Sequence, residues 1–358
     1  MVTNILAAIL VLGLLIFVHE LGHFLAAKRL GVGVLKFSLG FGPVVFSRRV
    51  GETEYALSAI PLGGFVKMVG QEDDGSEPDP ETVNSENSFA VKPTWAQAVI
   101  VAAGPVFNFL FAWLLYTLLF ATGVPVLTSE IGEVKEGMPA AAAGIVAGDE
   151  IVAVNGTPIA RWDALSSAIK EGKGASVQLT IKNEAGTERS VEVAPDEIEG
   201  SSIFGEPIPT WVIGVGPAGK RITERSNPVV AIGQGFMRTV EFIKLTVVSI
   251  VKLFQRVVPA SSLGGPIMIM QIAGDQANEG IQALLAFMAI LSINLGVLNL
   301  LPIPILDGGH LTFMAIEKII GHPLAVRQRE IATQVGFFLI ISLMGFALYN
   351  DIHRLVVG

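Results

Sequence analysis

The chain has 358 residues, of which 51% are hydrophobic, 16% are charged and none is cysteine. A mean hydropathy of +0.60 excludes an ordinary soluble globular protein and makes a polytopic α-helical membrane protein the expectation. The missing cysteines exclude disulfides and thiolate metal sites, and the net charge of −8, which comes largely from one acidic loop, points to no nucleic-acid partner.

Residues 4–30 read as the first transmembrane helix. Ile5 to Val18 carries no charged or strongly polar residue. At ~1.5 Å per residue that run climbs ~21 Å through a ~30 Å hydrocarbon core. It lacks the basic start of a cleavable signal peptide, so it is expected to be retained. His19-Glu20-Leu21-Gly22-His23 continues the same helix. Histidines at this spacing stand on one face, one turn apart. Both imidazoles can then reach one tetrahedral Zn²⁺, with the intervening glutamate turned toward a water in the open position. The pKa of such a water falls to about 7, and a carboxylate beside it can take the proton. His19, Glu20 and His23 therefore point to metal-assisted peptide hydrolysis at membrane depth, where ionisable groups are costly and mark function. The competing readings are a core helix with hydrogen-bonded histidines and a helix end facing headgroups. The depth of the motif argues against both.

Lys28, Arg29, Lys36, Arg48, Arg49, Lys67 and Lys92 come next, and basic residues in short flanking loops mark the cytoplasmic side. Residues 31–69 are glycine-rich and apolar and are expected to form a membrane-associated, re-entrant β-hairpin. Its strands are Tyr55–Ile60 and Gly64–Met68, around Pro61-Leu62-Gly63-Gly64. The edge near Ile60, Gly63 and Gly64 would take an extended substrate by strand addition. A plain interfacial hairpin is the alternative. Residues 70–90 form the acidic loop, with Gln71 to Ser88 expected to be mobile. Residues 95–122 are the second span and complete a first membrane part over 1–124. Within that span Asn108 is an amide in hydrocarbon, either bonded to another helix or lining the site.

From Val126 to about Pro217 the charge rises and short strands alternate with turns. The run Gly148-Asp149…Val154-Asn155-Gly156 precedes a helix near Trp162 to Lys170 and strands at 176–182 and 189–193. This pattern resembles a PDZ domain of the bacterial protease type. The resemblance implies an inserted α+β domain over 125–217 that takes extended peptides or C-termini at a sheet edge. Helix parity makes it extracytoplasmic; a packed spacer is the alternative.

Residues 218–280 hold an amphipathic segment. Gln234, Arg238, Glu241, Lys244, Lys252 and Arg256 share about a third of the helix circumference at ~100° per residue. The opposite face is Leu/Ile/Val/Phe, which fits a helix lying in the interface better than a span. Ser262 to Pro266 ends it as a turn. The second membrane part, 281–358, carries a third span over about 281–306 and a fourth over about 331–348. Pro302 and Pro304 break the third, and Asp307 just beyond is placed to be a third zinc ligand. With the amphipathic segment not crossing, the first and third spans run in the same direction, and Asp307 shares the depth of His19 and His23. The chemistry thus asks for four transmembrane helices. His310 reads as a helix-end hydrogen-bonding group rather than a ligand.

Taken together, Val18-His-Glu-Leu-Gly-His23, Phe41-Gly42-Pro43, Ile60-Pro-Leu-Gly-Gly64, Ser262-Leu-Gly-Gly-Pro266 and Asn299-Leu-Leu-Pro302…Leu306-Asp307-Gly308 resemble the site-2 protease family of zinc intramembrane metalloproteases. The nearest likeness is to its bacterial branch that acts in sigma-E signalling. The resemblance implies one Zn²⁺ per chain on His19, His23 and Asp307, Glu20 as the base, and Asn299 and Pro302 beside the substrate strand. It also implies cleavage of single-pass membrane proteins already trimmed by another protease, such as anti-sigma factors or remnant signal peptides. The setting it implies is the bacterial cytoplasmic membrane, in contact with lipid. Several relatives carry two PDZ domains in tandem, and this chain has room for one. A catalytically silent PDZ adaptor is the alternative, and the intact His-Glu-x-x-His motif disfavours it.

Overall fold

A computed structural model describes residues 2–71 and 85–357. The chain falls into two compact units, Met1–Leu119 with Pro228–Leu253 and Pro259–Gly358, and Phe120–Asn227 with Phe254–Val258.

The first unit opens with α1 (Val2–Arg29). Its buried residues, Ala7, Ala8, Val11, Leu15, His19, Gly22, His23 and Ala27, recur every three to four positions and so form one stripe. Leu6 and Leu10, off the stripe, are exposed. Two strands follow, β1 (Val34–Val50) and β2 (Thr53–Met68), joined at Gly51, whose φ of 62° suits a tight turn. Their antiparallel ladder runs from Val50↔Thr53 to Val44↔Ser58 and resumes from Leu39↔Gly64 to Val34↔Met68. Lys36–Leu39 pair with Glu54–Leu57 as well, so two long strands make a sheet of four segments, with 44–50 and 64–68 at its margins. The sequence reading found the segments in β2 and missed β1. Gly40 and Gly42 are irregularities inside one bent strand. Ala27, Val32, Val34, Phe37, Val66, Met68 and Ile100 form one core cluster, which fixes the sheet against the end of α1.

Residues 72–84, the centre of the expected acidic loop, lie outside the described residues. The end of that loop is tied to the sheet: Gly33 N–H donates to Asn87 O at 2.8 Å and Phe89 N–H to Val69 O at 2.7 Å, and Ser88 is fully buried. The long helix α2 (Thr94–Thr122) comes next, with Pro105 inside it. It lies tight on α1, for a Cβ at Gly22 would meet Ala103 O at 2.4 Å.

The second unit contains β3 (Val124–Leu127), β4 (Ile131–Val134), the single turn α3 (Pro139–Ala142), β5 (Glu150–Val154), β6 (Thr157–Pro158), α4 (Trp162–Glu171), β7 (Val177–Lys182) and β8 (Glu188–Val193). It ends with β9 (Asp196–Ser201), β10 (Pro207–Val212), β11 (Val215–Pro217) and β12 (Arg221–Glu224). One sheet has the order β6-β5-β7-β8, and β11 pairs with β4, β12 with β3 and β10 with β9. Its core centres on Ile131, Ile151, Leu165, Leu179, Ile181 and Ile213. The Asp and Asn of the sequence motif each hold a turn. Asp149 is buried, accepts from Val146 N–H at 3.2 Å and pairs with Arg189 at 3.1 Å. Asn155, at φ 50°, accepts from Gln178 N–H at 2.9 Å. The β3–β12 ladder carries this unit beyond Pro217, where the sequence reading ended it.

The chain returns to the first unit with α5 (Pro228–Phe254). It docks on α2 through Trp113 Nε1–H to Ile232 O at 3.0 Å, a stack of Tyr116 on Phe242 and a close approach of Gly235 to Thr117. Then come α6 (Pro266–Glu279), α7 (Ile281–Asn299), α8 (Asp307–Ile320) and α9 (Val326–Val357). The sequence pattern predicts neither α6 nor α8: Ser262 to Pro266 reads as a turn that ends a segment, and Asp307 as a residue just beyond the third span. Buried Asp351, from α9, accepts from the N–H groups of Gly265, Ile267 and Met268 at 2.9–3.1 Å and so caps α6. Among the described residues, α1, α2, α7 and α9 are long and apolar enough to cross a membrane. These are the four expected spans, and α5 is not among them.

Candidate metal centre

Two histidines arrive on an unbroken helix. His19 and His23 are 8% and 9% exposed, and their Nε2 atoms lie 3.2 Å apart. Asp307 arrives differently. After α7 stops at Asn299, Ile303 N–H bonds Leu301 O at 2.7 Å and Leu306 N–H bonds Ile303 O at 2.8 Å, which coils the Pro302 to Pro304 segment tightly. A Cβ at Gly308 would meet Leu301 O at 2.3 Å, and one at Gly309 would meet Ile303 O at 2.2 Å. Only glycine lets α8 start against that coil, and its first residue is Asp307. The carboxylate then lies 3.2 Å (Oδ2) from His19 Nε2 and 3.5 Å (Oδ1) from His23 Nε2. One ligand atom from each residue falls within 4.8 Å of the others.

The donor set fits a cation. His23 Nδ1 lies 2.9 Å from Ile100 O. A carbonyl only accepts, so Nδ1 carries the proton and Nε2 presents a lone pair to the cluster. Asp307 Oδ2 is buried without a hydrogen-bond partner, despite the nearby ring nitrogen. Lone pairs converging in a buried space repel unless a positive charge joins them. Two imidazoles and one carboxylate, with no thiolate, are ligands that zinc accepts with a fourth position left open. Space for them is kept by α2: a Cβ at Gly104 would meet His23 Nε2 at 2.3 Å and His19 Cε1 at 2.8 Å.

Of the other sequence-selected residues, Asn299 reaches the histidines and Glu20 stands beside His19. Asn299 Nδ2 is 3.4 Å from His19 Nε2. Glu20 faces the sheet, since a Cβ at Gly64 would lie 3.2 Å from its Cγ. Gly63, at φ 123°, is covered by the Phe41 ring. Ile60 pairs with Phe41 and is half exposed. Pro302 is exposed on the segment that leads to Asp307. His310 is exposed and is not part of the ligand group. Asn108 does both things the sequence reading held open. Its backbone carbonyl accepts from Ser292 Oγ at 2.7 Å, joining α2 to α7, and its amide is 3.1 Å from His19 Nδ1. The roles of Ile100 and Gly104 went unread. A main-chain carbonyl leaves no sequence signal, and neither does a glycine kept bare by contact with another helix.

The sequence matches known proteins along its length. The model of the family described as Peptidase family M50 matches residues 7–343. A protein of Agrobacterium fabrum provisionally named a zinc metalloprotease is 36% identical over 366 residues, covering 97% of this chain and 95% of that one. A Campylobacter jejuni protein with the same provisional name is 35% identical over 351 residues, covering 98% and 94%. The regulator of sigma-E protease RseP of Salmonella typhimurium is 32% identical over 451 residues, covering 98% and 99%.

Proposed function

The chain belongs to peptidase family M50 and is a zinc metalloprotease, and on that premise we propose that it cleaves peptide bonds within or beside the membrane-spanning segment of single-pass membrane proteins. The observation that carries this reading is the convergence of His19, His23 and Asp307 on helices fit to cross a membrane or next to one. These three residues would hold one zinc per chain. Bound zinc supplies a Lewis acid that acidifies water and polarises the scissile carbonyl.

The remaining chemistry belongs to the chain. Glu20, one residue from His19, takes the proton of the attacking water and passes it to the leaving amine. The substrate must first unwind, because a helical peptide bond is hydrogen-bonded and shielded. Segment 64–68, at the margin of the sheet with Gly64 on Glu20, receives the unwound strand by main-chain pairing, with Ile60 and Gly63 at the adjoining bend. Asn299 donates to exposed substrate carbonyls, and Pro302 borders the same channel.

Substrates trimmed beforehand by another protease, such as anti-sigma factors or remnant signal peptides, suit this site, and the name of the Salmonella relative supports the first class. The bacterial cytoplasmic membrane is the proposed location, with the active site toward the cytosol, α5 lying in the interface against lipid and residues 125–217 outside as a PDZ domain. A groove of about 340 Å³ between α4 and Val212–Gly216 is the place where that domain would take peptide C-termini. The match to the Salmonella protein extends over 451 aligned positions, so that relative carries a segment this chain lacks, as a second such domain would.

The test uses the purified full-length chain, Zn²⁺ and a transmembrane substrate without its ectodomain. Cleavage by the wild type and none by Glu20→Gln, with zinc content unchanged, is the expected result. Equal cleavage by the two would remove Glu20 from the reaction.

A further inference from the structure

One face of α2 is built around the two histidines. Ile100, Gly104 and Asn108 recur every fourth residue, so they line one stripe. The carbonyl of Ile100 meets His23, the bare Cα of Gly104 leaves room for both rings, and the side chain of Asn108 meets His19. We infer that Asn108 is a positioning residue that fixes the tautomer of His19 by accepting a hydrogen bond from its Nδ1, as the Ile100 carbonyl does for His23. The inference rests on the metal reading above and adds a residue to it.

Which end of the Asn108 amide faces the ring decides the tautomer. The two ends look alike in shape and are told apart by the bonds they make. With the NH₂ group toward Nδ1, the ring must keep its proton on Nε2. That nitrogen lies 3.2 Å from both Asp307 Oδ2 and His23 Nε2, where a ligand needs a lone pair. Turning the amide over removes that fault. Oδ1 accepts from His19 Nδ1–H at 3.1 Å, and the Nε2 lone pair faces the cluster. Asn299 does not compete, for its Nδ2 is 3.5 Å and 3.4 Å from the two ring nitrogens and favours neither. Asn108 is fully buried, and its backbone is tied to α7 through Ser292, so it presents a fixed acceptor. A partner that fixes a ligating imidazole typically changes metal affinity by about 10–100-fold.

The experiment uses the full-length chain in lipid nanodiscs and reads two quantities. The ¹⁵N spectrum of the metal-free, histidine-labelled protein reports which nitrogen of His19 is protonated. Chelator competition with Zn²⁺ alone reports affinity in the wild type, in Asn108→Leu, which keeps the bulk but not the acceptor, and in Asn108→Asp, which keeps an acceptor. The inference predicts Nδ1-protonated His19, Zn²⁺ bound about 10–100-fold more weakly by the Leu variant, and near wild-type binding by the Asp variant. Nε2-protonated His19, or wild-type affinity in the Leu variant, would overturn it. A wild-type chain that binds no Zn²⁺ would instead overturn the metal reading, and the ¹⁵N spectrum would still decide the tautomer.

Discussion

The candidate centre is assembled from two regions that reach it by opposite means. His19 and His23 stand one turn apart on α1, a continuous helix whose buried stripe they share. Asp307 stands where helix has been interrupted, after a proline-bearing coil and ahead of two glycines pressed onto backbone carbonyls. The first region owes its geometry to helical periodicity and needs only a neighbour that leaves space. The second owes its geometry to close main-chain packing. The centre should therefore tolerate different insults on its two sides.

The largest effect is expected on the histidine side. Gly104→Ala would place a methyl group 2.3 Å from His23 Nε2, and backbone atoms of α2 leave it nowhere to go. Both rings must move, so zinc and proteolysis should be lost together, as metal analysis and a cleavage assay would show. Zinc retained at wild-type affinity would mean that α2 does not shape the site. A smaller effect is expected on the aspartate side. Gly309→Ala pushes α8 off the coil at Ile303 and shifts Asp307, while the histidine pair is untouched. A displacement near 1 Å costs on the order of 100-fold in rate, so turnover should fall by about that factor while residual zinc binding survives. Equal, complete loss of zinc in both variants would erase the distinction between the two regions.

The contrast also explains what could be read in advance. Spacing along one helix is local information, so the His-Glu-x-x-His face and the four apolar spans were legible from residue order alone. The position of Asp307 needed helix parity and family likeness, because the carboxylate meets the histidines across nearly the whole chain. Gly104 and the Ile100 carbonyl act across a helix–helix contact, which no linear pattern encodes, whereas Asn108 stands out in the sequence as an amide in hydrocarbon. The strand β1 was missed because Gly40 and Gly42 bend it without ending it. Asp351 carries no linear pattern that announces a cap. It is fully buried and caps α6, so its role is to hold α9 to α6.

That cap gives the mildest prediction. Asp351→Asn removes the charge that three N–H groups share and that Arg354 pairs with at 3.0 Å. Charge-assisted bonds of this kind are worth about 2 kcal/mol, so thermal stability in detergent should drop while zinc affinity stays at the wild-type value. A loss of zinc instead would tie α9 directly to the centre and blur the division between its two sides.

The central claim is that two histidines of one helix and the aspartate of another share a single metal. Zinc K-edge X-ray absorption on the purified, zinc-loaded full-length chain tests it most directly. The account predicts a first shell of nitrogen and oxygen at ~2.0–2.1 Å with the outer-shell scattering of two imidazoles. A shell with no imidazole signature, or with three or more imidazoles, would contradict it.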